Sequence, residues 1–174
     1  MTTLTFLTTN SAGWVEPPVE TRRARSTRAG LVALGVAVAY YVGARIGFAL
    51  TPAPQPVSTL WPPNAILLAA LLLAPLRWWP GILLAAFPAH LLVELGSGVP
   101  LSMVLSWFVS NSAEALIGAV GVRRFTDRPA QLDSFRQVGV FVAFAAILAP
   151  FVSSFLDAAF VQWNAWGADS YWAV

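Results

Sequence analysis

The sequence predicts an all-α fold, a polytopic transmembrane helical bundle of about five spans with the N-terminus cytoplasmic and the C-terminus outside. Three observations lead there. Of 174 residues, 57% are hydrophobic and 10% charged, and the mean hydropathy is +0.68. A soluble domain carries about 25% charged residues, so this chain cannot cover a water-facing surface. The apolar residues gather in long blocks divided by short polar ones, and the arginines gather in alternate polar segments. Cysteine is absent, which excludes disulfides, thiol chemistry and thiolate metal sites. A net charge of +2 is too small to argue for nucleic acid.

Residues 1–28 are rich in Thr, Pro and Glu and end in the basic run Arg22, Arg23, Arg25 and Arg28, which predicts a disordered cytoplasmic tail. Residues 29–174 form the predicted transmembrane domain. Its first helix, Ala29–Leu50, has 22 residues. At 1.5 Å each they rise about 33 Å, enough to cross a hydrocarbon core of about 30 Å and too long for a cleaved signal. Leu101–Val122 and Val138–Val161 pass the same test.

Between them, Pro63–Leu76 and Gly81–Leu95 are apolar but only 14 and 15 residues long. They read either as two short spans turning at Arg77-Trp78-Trp79-Pro80 or as a re-entrant hairpin. The hairpin would leave Arg77 near the midplane at a cost of about 2.5–3.5 kcal/mol, which favours two spans. Pro62-Pro63 and Pro80-Gly81 then mark helix starts, and Trp78 and Trp79 are interfacial anchors.

With five spans, nine of ten arginines fall on one side: four in the tail, Arg77 in the turn, and Arg123, Arg124, Arg128 and Arg136 in segment 123–137. The opposite loops, Thr51–Pro62 and Gly96–Pro100, have none. The positive-inside rule therefore sets the N-terminus inside and Tyr171-Trp172-Ala173-Val174 outside. An end just past the fifth span leads to the expectation that the chain is part of a longer protein.

Small residues recur every four positions in the first helix, at Gly35, Ala39, Gly43 and Gly47. Such stripes bring helix backbones together in lipid. They predict packing within the bundle, with a homodimer or a membrane-protein partner as the alternative. Ser102, Ser106, Ser110, Glu114 and Gly118 make a similar stripe in the fourth span.

Ionisable residues within spans are functional candidates because burying a charge in lipid is costly. They are Arg45, His90, Glu94, Glu114 and Asp157. Counted along the helices, Arg45, Glu94 and Asp157 lie within about 10 Å of the outer ends of their spans, with Asn64 and His90 at a similar level. The expectation is an outward-facing polar pocket in which Arg45 is the counter-ion of Glu94 or Asp157. The competing reading has these groups snorkelling to the interface or making structural helix-to-helix bonds. Glu114 is deeper, and Asn111 shares its helix face. His90, the sole histidine, reads as a satisfied structural residue, with a pH switch as its functional alternative. Metal-carboxylate bundles need Glu-x-x-His pairs and more ligands than His90, Glu94 and Glu114 supply, so neither metal nor cofactor is expected. The phosphate-loop, nucleophile-elbow and His-Glu-x-x-His patterns are also missing. The chain is therefore not expected to be an enzyme.

The order of several short motifs is specific. Val57-Ser-Thr-Leu-Trp61-Pro62-Pro63-Asn64-Ala65, the Leu/Ala run after it, Arg77-Trp-Trp-Pro-Gly81, and Ser110-Asn111-Ser112-Ala113-Glu114-Ala115-Leu116 before Arg123-Arg124 follow one another at set intervals. Over residues 29–165 this order resembles the bacterial membrane-associated sensor domain of the first type, MASE-one. The resemblance implies a multi-helix input module at the N-terminus of histidine kinases and diguanylate cyclases, in the bacterial inner membrane. It maps the family's Trp-Pro-Pro onto Trp61, Pro62 and Pro63, and its Asn-x-x-Glu onto Asn111 and Glu114. Asn64-Ala65 and Ser110 depart from the family's usual small residues. The family domain is longer than this chain, so kinase or cyclase activity would lie in an output domain beyond it. A small transporter and a docking module for a membrane partner are the alternative functions.

Overall fold

The computed structural model describes residues 22–51, 60–127, 129 and 131–165, and all regular structure among them is helical. The expectations for residues 1–21, most of loop 51–62, Arg128 and the last four residues lie outside the described residues. The elements are α1 (Arg22–Ala49), α2 (Pro62–Leu73), a 3-10 turn (Leu76–Trp78), α3 (Trp79–Gly96), α4 (Leu101–Phe125), α5 (Phe135–Phe141), a π-helical stretch (Val142–Leu148) and α6 (Ala149–Trp163). Helix α1 starts at Arg22, so the last residues assigned to a disordered tail are helical.

Four stretches are long and apolar enough to span: Ser26–Ala49, Leu76–Gly96, Leu101–Phe125 and the continuous rod Phe135–Trp163. Helix α2, with 12 residues, does not reach that length. It rises only about 18 Å. Prolines explain both of its ends. Pro62 and Pro63 sit at its first turn, where a missing N–H costs nothing. Pro75 forces Ala74 into an extended conformation (φ −94°, ψ 150°) and stops the helix.

Contacts fix the helix directions. The α2 start packs beside Gly43 and Gly47 near the end of α1, so α1 and α2 are antiparallel. The Trp79 indole N–H at the start of α3 donates to Leu71 O near the end of α2 (2.9 Å). Arg123, near the end of α4, lies over the Trp79 ring at 5.5 Å. The exposed Arg77 turn therefore shares a bundle end with the α4 C-terminus, as two antiparallel elements require and as a hairpin tip at the midplane would not. Gly98 (φ +83°) makes the tight turn from α3 into α4.

The stripe on α1 is used by half. Gly43 and Gly47 are buried, and a Cβ on either would run into Ile66 or Trp61. Gly35 and Ala39 are exposed, and nothing lies within 4 Å of a Cβ built on Gly35. The expected packing of those two within the bundle fails, because each four-residue step turns about 40° further around the helix and carries Ala39 and Gly35 off the face that Gly43 and Gly47 present to α2. Gly118 and Gly121 of α4 instead receive Ala145 and Phe144 of the π stretch. That stretch ends just before Pro150, which has no N–H to give the preceding turn. The core between α1, α2, α3 and α4 holds Tyr40, Leu67, Leu71, Ile82, Ala86, Val93, Ala119 and Val122.

Candidate functional site

The polar side chains within the helices form two adjoining groups. The first joins α1, α3 and α4 around Tyr40 and His90, both 0% exposed. His90 Nε2 lies 2.8 Å from the Val104 carbonyl. A carbonyl only accepts, so Nε2 carries a hydrogen. The Tyr40 hydroxyl lies 3.0 Å from His90 Nδ1 and accepts from Asn111 Nδ2 at 3.4 Å. In the neutral tautomer that carries its hydrogen on Nε2, the Tyr40 hydroxyl gives its own hydrogen to Nδ1. Phe108 packs against His90 at 5.3 Å, and Phe87 against Phe108 at 4.8 Å.

Glu94 sits one turn after His90 on α3 and is 1% exposed. Its Oε1 is 3.8 Å from His90 Nδ1, which in that tautomer accepts from Tyr40, and its Oε2 is buried without a hydrogen-bond partner. Trp61 packs edge-on to Phe48 at 5.5 Å and turns its indole N–H toward Tyr40 without closing a bond. Asn64, in the first turn of α2, also holds a buried unpartnered oxygen, Oδ1.

The second group lies between α4 and α6. Ser153 Oγ donates to Glu114 Oε2, Ser110 Oγ to the Ser153 carbonyl at 3.4 Å, and Asn164 Nδ2 to Ser106 Oγ at 3.4 Å. Asp157 faces Ser110 and Glu114, with Oδ1 buried and unpartnered. Ser110 and Asn111, adjacent on α4, point one to each group.

Two expectations are corrected. Arg45 is exposed and pairs with neither Glu94 nor Asp157. Five residues beyond Tyr40, it is turned about 140° away from the core-facing side of α1. Nor is the polar set an outward-facing pocket, because His90 and Glu94 are enclosed. It is a closed centre that runs from about 3 Å (Glu94) to about 15 Å (Asn111) below the bundle end at the α3–α4 turn. His90, Glu94 and Asn111 do meet there with Trp61 beside them, whereas Glu114 and Asp157 belong to the second group. Among the described residues, no three His, Asp or Glu side chains converge as a metal site would need.

Two residues that sequence reasoning passed over have central places. Tyr40 links three helices, and its signal was a phenol hydroxyl, shared with Tyr41, in a span whose one other polar side chain is Arg45. Arg123, counted only as an orienting charge, gives Nη2 to the carbonyls of Leu71 (3.0 Å), Leu72 (2.9 Å) and Ala74 (2.5 Å), closing the end of α2.

Among known proteins, the family model MASE1 matches residues 32–172. No curated protein and no solved structure matches the chain.

Proposed function

The chain belongs to the MASE1 family, membrane-associated sensory domains found in signalling proteins, and on that premise we propose that it is the input domain of a bacterial histidine kinase or diguanylate cyclase. It sits in the inner membrane, catalyses nothing itself, and passes a change in helix packing to an output domain.

The observation that carries this reading is the Tyr40–His90–Asn111 bond set. Three helices meet through three buried hydrogen bonds, α1 to α3, α3 to α4 and α4 to α1. Such a set has few geometries, so it favours discrete helix arrangements over gradual ones. A signal that binds one arrangement more tightly shifts the population toward it, and coupling needs nothing more.

The test is the open reading frame that contains the chain. A kinase or cyclase domain in frame, with phosphoryl-transfer or cyclic-dinucleotide output in membranes, supports the proposal. A frame with no output domain, together with solute flux in proteoliposomes, overturns it in favour of a transporter.

A further inference from the structure

We propose that the cavity at the end of α2 binds an anionic phospholipid through its phosphate, with Arg123 as the cationic ligand, an inference that goes beyond the sensory reading and does not depend on it. The cavity holds about 320 Å³ and is lined by residues 72–75 at the end of α2, by Arg123 near the end of α4, and by Pro129 and Gln131 of the loop that follows. Small-molecule sites occupy about 300–1,000 Å³. Depth places this one among headgroups. Helix α4 rises about 33 Å from Leu101 to Arg123, the thickness of a hydrocarbon core, so the guanidinium stands at the membrane boundary opposite the α3–α4 turn. Trp79, of a residue type enriched at that boundary, lies under the guanidinium at 5.5 Å.

Arg123 is half-buried, and its bonds to α2 all run through Nη2 to carbonyls, which carry no net charge. Its Nε–H is buried without a partner. Among the described residues no carboxylate lies within ion-pair distance of it, and Asp127 and Asp133 of the loop are exposed. A cation drawn partly out of water therefore lacks an anion, at the level where the membrane's phosphates lie. Guanidinium is weakly hydrated and bonds phosphate oxygens strongly. Basic pockets between helices on the cytoplasmic side, where the positive-inside rule puts this end, take lipid headgroups. Arg136, whose Nη2 reaches back to the Phe125 carbonyl at 3.2 Å, adds positive charge nearby. Free phosphate shares the anion chemistry, but the lining favours a lipid. Five of the seven described lining residues are apolar, and one of them, Leu73, is 75% exposed, so the cavity opens beside apolar surface on the flank of the bundle, where acyl chains lie. None of the seven is acidic, so the ammonium of a zwitterionic headgroup finds no partner among them.

The chain, purified in neutral detergent, is melted with dioctanoyl phosphatidylglycerol, dioctanoyl phosphatidylcholine or inorganic phosphate at equal ionic strength. A ligand that binds only the folded state raises Tm with concentration. The expected result is a saturable rise with phosphatidylglycerol alone, and native mass spectrometry retains one such lipid per chain. Gln131→Glu puts a negative charge on the exposed cavity wall and leaves the Arg123 bonds in place. It moves the lipid midpoint about tenfold upward, the size of one like charge beside the phosphate at a protein surface. Arg77→Gln changes the net charge equally at an exposed position outside the lining, and moves the midpoint less than about threefold. Both exposed substitutions leave the lipid-free Tm near that of the parent. An equal rise with phosphatidylcholine overturns the proposal. So do equal midpoint shifts in the two variants, which would assign the response to general surface charge. A rise with inorganic phosphate matching that with phosphatidylglycerol also overturns it, giving the cavity to a soluble phosphate. Binding is read on the chain itself, so it stands or falls apart from any output domain.

Discussion

Replacing Arg123 by methionine keeps the apolar stem and removes the group that closes α2. One nitrogen, Nη2, serves three carbonyls at 2.5–3.0 Å. It has two hydrogens, so at most two full hydrogen bonds are shared among Leu71, Leu72 and Ala74. Charge-assisted bonds contribute about 1.5–3 kcal/mol each, hence roughly 3–6 kcal/mol for two, and the half-buried setting reduces this to about 2–4 kcal/mol. Stacking on Trp79 at 5.5 Å adds about 0.5–1 kcal/mol. Arg123→Met is therefore expected to destabilise the bundle by about 3 kcal/mol in equilibrium unfolding from mixed micelles. Arg123→Lys retains a charge for the helix end but loses the planar stacking, and should lose about half as much. The loss should be local as well, with faster amide hydrogen exchange through residues 71–79. Unfolding within about 0.5 kcal/mol of the parent, with unchanged exchange there, would refute the capping argument.

Tyr40→Phe strands His90 Nδ1 and the Asn111 amide, and should cost about 1–3 kcal/mol in the same unfolding assay. Gly121→Val should lower Tm by several degrees, because its Cβ would overlap the Phe144 ring. Gly35→Val, with open space at its Cβ, should leave Tm near the parent value. Arg45→Leu should change stability by no more than about 0.5 kcal/mol, since Arg45 is exposed and pairs with neither buried carboxyl. Single cysteines placed in this cysteine-free chain report orientation through a membrane-impermeant maleimide. One at Ser97 should label from outside intact cells, and one at Asp133 only after permeabilisation.

Composition and punctuation carried much of the fold. Charged residues are so few that only a membrane suits the chain, and Pro62-Pro63 mark the start of α2, whereas the sequence reads its end at Leu76, past the Pro75 that stops the helix at Leu73. The start of α4 at Leu101 follows from Pro100 before it. The π stretch was not legible, because Val142–Leu148 reads as ordinary apolar helix and its widening depends on Pro150 together with the glycine face of α4. For the site, residue type was legible and direction was not. His90, Glu94 and Asn111 stood out as polar groups in apolar spans. Whether Arg45 faces Glu94 depends on helix rotation, which the irregular apolar pattern of α1 does not set. Arg123 illustrates a second limit. Arginine next to a helix end satisfies the positive-inside rule whether or not it caps a neighbour, so only the fold distinguishes the two roles.

The claim at the centre of this account is that the Tyr40–His90–Asn111 set couples helix packing to output. It is tested most directly by measuring the output activity, in membranes, of the protein encoded by the whole open reading frame, with Tyr40→Phe and Asn111→Leu beside the Gly35→Val control. The account predicts that both core variants shift output severalfold at unchanged membrane abundance while the control does not. Output equal to the parent in Tyr40→Phe, Asn111→Leu and their double variant would contradict it.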